Sequence, residues 1–228
     1  IDGEYAIVGA EQDDDDGESS GSAYIFKRDS TSWSQQAKLT ALDPAAYDWF
    51  GTSVSIDGDY AIVGARGDDD GGQWSGSAYI FKRDGTSWSQ QQKLTAADAD
   101  TADRFGYSVS ISGDYAIVGA EGDTDAGYYL GSGSGSAYIF KRDGTSWTEQ
   151  QKLTALDADA GDEFGTSVSI DGDYAIVGAQ LDDDGGNKSG SAYIFKREGT
   201  SWSQQEDKLT ADDAAAEDIF GWSVSIDD

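Results

Sequence analysis

One phrase, Gly-Asp/Glu-Tyr-Ala-Ile-Val-Gly-Ala, occurs at 3–10, 58–65, 113–120 and 172–179, at spacings of 55, 55 and 59 residues. Self-similarity at such a period marks a supersecondary unit copied along the chain, whose apolar faces are buried by stacking on neighbouring copies. Gly-Ser-Ala-Tyr-Ile-Phe-Lys-Arg follows each time, from Gly21, Gly76, Gly135 and Gly190 (the last copy ends Lys-Arg-Glu), then a Ser-Trp pair and a Gln-rich stretch that closes on Lys-Leu-Thr-Ala. A Phe-Gly pair then opens Ser-Val-Ser-Ile, at Phe50, Phe105, Phe164 and Phe220. No linker or composition shift interrupts the array, so 1–228 reads as one domain.

Each copy reads as four short antiparallel strands. Ser-Val-Ser-Ile (strand A) alternates polar and apolar, Tyr-Ala-Ile-Val (B) is a buried run, Ala-Tyr-Ile-Phe (C) is rich in strand formers, and Ser-Trp to Leu-Thr (D) is a polar outer edge. Asp57-Gly58, Ser112-Gly113 and Asp171-Gly172 join A to B, and Asp84-Gly85, Asp143-Gly144 and Glu198-Gly199 join C to D. These are hairpin signals, because glycine supplies the positive φ that tight primed turns demand. Asp29-Ser30 stands in place of the C–D pair in the first copy, at a cost in turn strain. The expected architecture is an all-β propeller of four blades, each of four antiparallel strands. The A strand at 223–226 is expected to pair with the B strand at 5–8 and close the ring, which removes exposed sheet edges.

Composition excludes several chemistries. The 228 residues include no Cys, no His and no Met, so thiol nucleophiles, thiolate metal sites and imidazole catalysis are absent. No apolar run approaches the roughly 18 residues of a membrane span, so membrane insertion is not expected. The chain opens at Ile1 with neither Met nor a signal-like run, which reads as a processed or excised product. Lys and Arg total 15 against 44 Asp and Glu, a formal net charge of -29, which repels nucleic acid. That charge fits either adaptation to concentrated salt or many bound cations.

Phe-Gly-x-Ser-Val-Ser-Ile followed by Tyr-Ala-Ile-Val-Gly-Ala resembles the FG-GAP repeat, the blade unit of integrin alpha-subunit propellers and of many bacterial and archaeal surface proteins. The resemblance implies a propeller, a secreted or cell-surface location, and a partner face formed by the B–C loops and the D–A crossings. Integrin-like propellers have seven blades where this chain has four copies, which leaves open a four-blade ring, an eight-blade ring shared by two chains, or an excerpt of a longer array. The family's calcium loops lie between strands A and B, where this chain has only tight turns such as Asp57-Gly58, so those sites do not carry over.

Acid-rich segments instead follow strand B: Asp13, Asp14, Asp15 and Asp16; Asp68, Asp69 and Asp70; Asp123 and Asp125; Asp182, Asp183 and Asp184. Asp clusters ending at a turn-making Gly can supply the six to eight oxygens that calcium prefers, and a solvated salt-adapted loop is the competing reading. B–C loops and D–A crossings emerge on one face and hold 28 of the 44 acids, with Arg66, Arg104 and Lys188 expected as the only offsetting charges there. Asp48, Asp103, Asp162 and Asp218 recur two residues before each Phe-Gly pair, and a turn-fixing role is the main expectation.

Residues that break the repeat carry the functional expectation. Trp33, Trp88, Trp147 and Trp202 recur and are read as packing. Trp49, Trp74, Tyr107, Tyr128, Tyr129 and Trp222 do not recur, and all fall on the acidic face. Exposed aromatics beside carboxylates suit protein or carbohydrate contacts. Asn187-Lys188-Ser189 adds one glycosylation sequon. The resulting expectation is a non-enzymatic extracellular binding or adhesion module, highly acidic, whose Asp-rich loops read first as a salt-adapted surface and second as calcium sites, and which is open to self-association. The alternatives are a structural repeat unit of a larger surface protein or filament and, third, a carboxylate-based glycoside hydrolase.

Overall fold

The structure, a computed structural model, describes residues 1–124, 133–206 and 208–227. Every regular element among them is a strand. The first sheet is β1 (Tyr5–Ala10), β2 (Ser22–Asp29) and β3 (Ser32–Leu39). The second is β4 (Phe50–Asp57), β5 (Tyr60–Ala65), β6 (Ser77–Asp84) and β7 (Ser87–Leu94). The third is β8 (Ser108–Ser112), β9 (Tyr115–Ala120), β10 (Ser136–Asp143) and β11 (Ser146–Leu153). The fourth is β12 (Phe164–Asp171), β13 (Tyr174–Ala179), β14 (Ser191–Glu198) and β15 (Ser201–Gln204). All ladders are antiparallel between consecutive strands, the arrangement of propeller blades.

The turns form where glycine permits. Gly58, Gly113 and Gly172 turn at φ 56, 57 and 54, and Ser30 is held at φ 56 in the left-handed region where glycine stands in the other copies.

Adjacent sheets share cores. Tyr5, Ile25 and Phe50 pack with Val63 and Tyr79; Ile62 and Ile80 with Phe105 and Val118; Ile117 and Ile139 with Phe164 and Val177. The contact repeats because the same glycines permit it. A Cβ on Gly64 of β5 would lie 1.9 Å from the Gly106 carbonyl oxygen of the next copy, and one on Gly119 would lie 2.0 Å from that of Gly165. At the outer edge Trp88, Trp147 and Trp202 stand edge-on to Tyr5, Tyr60 and Tyr115 of the preceding sheet, with ring centroids 6.4, 6.0 and 5.9 Å apart. Arg83, Arg142 and Arg197 donate to the same three tyrosine hydroxyls. The packing role expected for the recurring tryptophans holds where a preceding sheet exists; Trp33, in the first sheet, is 42% exposed.

The strand count differs from four in the first sheet, which has three. Among the described residues no ladder joins 223–226 to β1, and Val8 of β1 is 51% exposed where Val63, Val118 and Val177 are fully buried. The 223–226 segment lies beside β12: the Val224 and Ile226 amides donate to the Ser167 and Ser169 hydroxyls at 3.1 and 3.2 Å. Val109 and Ile111 of β8 use Ser53 and Ser55 in the same way. Each innermost strand is thus placed by the one before it, and these steps set 223–226 against β12.

Candidate functional site

The acid-rich loops are built into the fold by lysines from strand D. Lys93 Nζ lies 2.9 Å from Asp43, 2.7 Å from Asp68 and 2.6 Å from Asp70. Lys208 Nζ lies 2.8, 2.9 and 2.5 Å from Asp157, Asp182 and Asp184. Lys152 meets Asp98 and Asp123, each at 2.8 Å, and Lys38 meets Asp13 and Asp15. The first carboxylate of each loop also accepts the C-strand tyrosine hydroxyl: Tyr24 to Asp13, Tyr79 to Asp68, Tyr138 to Asp123 and Tyr193 to Asp182. Asp14 accepts the Ser19 amide and Asp69 the Trp74 amide, so the second carboxylate shapes those two loops. Asp16 and Asp183 are exposed, and Asp125 lies outside the described residues.

These lysines correct the charge map drawn from sequence. Lys38, Lys93, Lys152 and Lys208 join Arg66, Arg104 and Lys188 as positive charges on the acidic face. Asp43, Asp68 and Asp70, and likewise Asp157, Asp182 and Asp184, each present oxygens within 4.8 Å of one another and could hold a metal ion. The cation that the chain itself supplies at those oxygens is an ammonium. The Lys38 contact holds Asp13 down at about 2. Burial opposes ionisation of Asp43, Asp98 and Asp182, and bonding to lysine outweighs it, so all three carboxyls also lie below their ordinary value.

The recurring aspartates before Phe-Gly fix turns, as expected. Asp48, Asp103, Asp162 and Asp218 accept the amides of Ala45, Asp100, Asp159 and Ala215 at 2.7, 2.6, 2.8 and 2.7 Å. Burial pushes Asp48, Asp103 and Asp162 up to about 6, 7 and 6, against the pull of those amides and reinforced by nearby Asp68, Asp123 and Asp182.

A different set of residues forms a cleft on the same face. Trp74, Ala102, Arg104, Glu121, Gly122, Gly133 and Glu163 line a cavity of about 170 Å³. Trp74 also borders a second one of about 290 Å³, bounded by Tyr47, Trp49 and Asp69. Arg104 Nη1 donates to Glu121 Oε1 at 2.9 Å, and Gln180 Nε2 donates to Glu163 Oε2 at 2.5 Å. Glu121 is 4% exposed, and its Oε2 accepts no hydrogen bond among the described residues. Burial raises the Glu121 carboxyl, against the Arg104 bond. Beside the cleft the Arg66 guanidinium stacks 4.7 Å from the Trp49 ring centroid and 5.5 Å from that of Tyr107.

Several of these positions share one backbone conformation. Tyr47, Trp49, Trp74, Arg104 and Glu163 sit at φ 69, 53, 57, 56 and 57. Left-handed backbone costs an L-residue roughly 1–2 kcal/mol, and Gly161, at the register of Tyr47, takes the cheap solution with φ 96. The same registers are left-handed in the other copies too, at Ser19, Ala102, Lys188, Glu217 and Ile219, so the conformation belongs to the repeat and the side chain it carries differs from copy to copy.

Every strand of every copy repeats one pattern, and the FG-GAP repeat family matches residues 1–26, 33–81, 88–140, 147–195 and 202–228. The chain belongs to the FG-GAP repeat family. No curated protein matches it significantly. The cleft residues Trp74, Ala102, Arg104, Glu121, Gly122, Gly133 and Glu163 all lie within the matched segments.

Of the expected ligand contacts on this FG-GAP frame, Trp49 and Trp74 line the cavities and Tyr107 stacks on Arg66 beside them. Trp222 is 60% exposed and lines neither cavity, and Tyr128 and Tyr129 lie outside the described residues. Sequence reasoning missed Glu121 and Glu163 and treated Arg104 only as a charge. The signal was available: Glu11, Arg66, Glu121 and Gln180 share the position just after strand B, and no two neighbouring copies agree there.

Proposed function

We propose that this FG-GAP chain is a non-enzymatic binding and adhesion module working outside the cell or at its surface, with its ligand seated in the cleft around Trp74. The observation that carries this reading is the clustering in one place of residues that vary between copies: Trp74, Arg104 and Glu163 line a single cavity together with Glu121. Its carboxylates are tied to Arg104 and Gln180, an arrangement that favours holding a ligand over moving protons. Among the described residues no helix is long and apolar enough to cross a membrane. The test is binding of the whole chain to a panel of immobilised polysaccharides and purified extracellular proteins, compared with Trp49→Ala and Trp74→Ala. Binding that both substitutions weaken supports the module; a panel bound equally by all three proteins removes it.

A second reading, a structural unit in a larger assembly, is favoured by the edge of β1 and the 223–226 segment, neither of which forms a further ladder among the described residues. It calls for concentration-dependent association that cleft variants leave unchanged, measurable by sedimentation.

For the acidic loops we propose halophilic adaptation, with calcium as a weak competitor of lysine. Repulsion within a chain of net charge -29 is only partly screened at about 0.1 M salt, where the screening length is about 10 Å. Molar sodium chloride therefore raises the melting temperature. Calcium suits such loops by its oxygen preference but must displace Lys93 or Lys208 from carboxylates already bonded to them.

A further inference from the structure

We propose that the cavity of about 170 Å³ is a subsite for one ring of a neutral carbohydrate, and that the adjoining cavity of about 290 Å³ across Trp74 takes the next ring. The proposal rests on the binding reading above and names the ligand class for the same cleft.

Hydrogen-bond chemistry selects the class. Among the described residues the cavity offers an acceptor without a donor, Glu121 Oε2, beside a guanidinium that gives one of its five N–H groups to Glu121 Oε1. The Arg104 side chain is 41% exposed and lines the cavity, so donor capacity faces the cleft as well. A ligand ammonium only donates, so the acidic chain draws it in but it leaves the exposed Arg104 N–H groups without an acceptor. A ligand carboxylate or phosphate only accepts, leaves Glu121 Oε2 unmet, and approaches a chain of net charge -29. A hydroxyl group does both, donating to Glu121 Oε2 and accepting from Arg104, and adjacent hydroxyls on one ring can serve both residues together.

Apolar surface selects a ring. Trp74, 37% exposed, offers an aromatic face to C–H groups at little entropic cost, and Ala102 adds apolar surface beside it. The volume, about 170 Å³, is small and suits a single ring. Because Trp74 borders both cavities, a second ring would meet Tyr47 and Trp49 on its other side.

The test is calorimetric titration of the full chain in molar sodium chloride with glucose, galactose, mannose, cellobiose, maltose and lactose. At least one disaccharide should bind with a millimolar or tighter Kd, about tenfold more tightly than its monosaccharide. Trp74→Gly, which also relieves the left-handed backbone, and Glu121→Gln should each weaken binding at least tenfold, and Trp222→Ala should leave it unchanged. Circular dichroism verifies that the variants fold. If the sugars fail and an arginine- or lysine-amide peptide binds in a Trp74-dependent way, the carbohydrate assignment is overturned while the binding module stands. If neither probe nor any member of the wider panel binds in a Trp74-dependent way, both are overturned.

Discussion

Two groups of carboxylates share the acidic face. In the loops after β1, β5, β9 and β13 the first Asp meets the same tyrosine and the same lysine in every copy, so the arrangement is as repetitive as the strands around it. In the cleft, Glu121 meets Arg104 and Glu163 meets Gln180, while Glu11, at the register of Glu121, meets Arg66, so the partners vary from copy to copy. Repeated carboxylates have every reason to be structural, because four loops under one folding requirement converge on one solution. Glu163 has Trp49, Arg104 and Ile219 at its register in the other copies, and Glu121 has Glu11, Arg66 and Gln180, so neither carboxylate is required by the repeat. Substitutions in the first group should therefore cost stability, and substitutions in the second should cost binding.

The largest effect should come from the frame that both groups share. Gly64→Ala places a methyl 1.9 Å from the Gly106 carbonyl oxygen, and only separation of the second and third sheets relieves that overlap. A loss above about 4 kcal/mol in urea unfolding is expected. A wild-type midpoint would show that the glycine contact does not set the spacing of the sheets.

Lys93→Ala comes next. It leaves Asp43, Asp68 and Asp70 facing one another with Asp68 buried, and removing one partner of such a cluster costs about 3 kcal/mol. Calcium should recover much of that loss beyond an equal ionic strength of sodium chloride, while adding little to the unmodified chain at the same concentration. Equal calcium responses in the two proteins would mean that lysine and calcium do not compete for these oxygens.

The pH dependence separates buried turn aspartates from lysine-bonded ones. Asp48, Asp103 and Asp162 ionise in the folded chain only near pH 6 to 7, well above the ordinary value of about 3.9, so their charged forms penalise folding. That penalty is complete above pH 7 and fades as pH falls toward 4. Asp13, Asp43, Asp98 and Asp182 are shifted down, so their contribution is present above pH 4 and lost below it. Melting temperature should pass through a maximum between about pH 4 and 5, and Asp103→Asn should flatten its alkaline limb. A melting temperature that falls steadily from pH 8 to pH 5 contradicts this balance.

The smallest stability effect belongs to the cleft. Trp74→Ala and Glu163→Gln should shift unfolding by less than about 0.5 kcal/mol, the usual range for surface sites, while abolishing ligand binding. A loss comparable to Lys93→Ala would place these residues with the frame.

Strands, turns and inter-sheet tryptophans were legible in the sequence because they rest on local periodicity and on glycine's backbone freedom. Even the strained Ser30 turn could be read from one missing glycine. The lysine contacts were not, since Lys93 meets Asp68 across 25 residues and Asp43 across 50, and neither separation has a local signature. The contacts of 223–226 with Ser167 and Ser169 were not legible for a related reason: alternation identifies an A strand but not which neighbours it lies against. In the cleft, the aromatic residues stood out by rarity, and Glu121 and Glu163 were hidden among 44 acids.

The glycine contacts between sheets also bear on how such a chain changes over generations. Gly9, Gly64, Gly119 and Gly178 meet Gly51, Gly106, Gly165 and Gly221 by one recurring geometry, so each copy mates with any other through an unchanged surface. A copy gained or lost by recombination would arrive with both mating surfaces already fitted. The array can lengthen, shorten or shuffle without redesign, leaving the positions just after strand B and just before Phe-Gly free to diverge copy by copy.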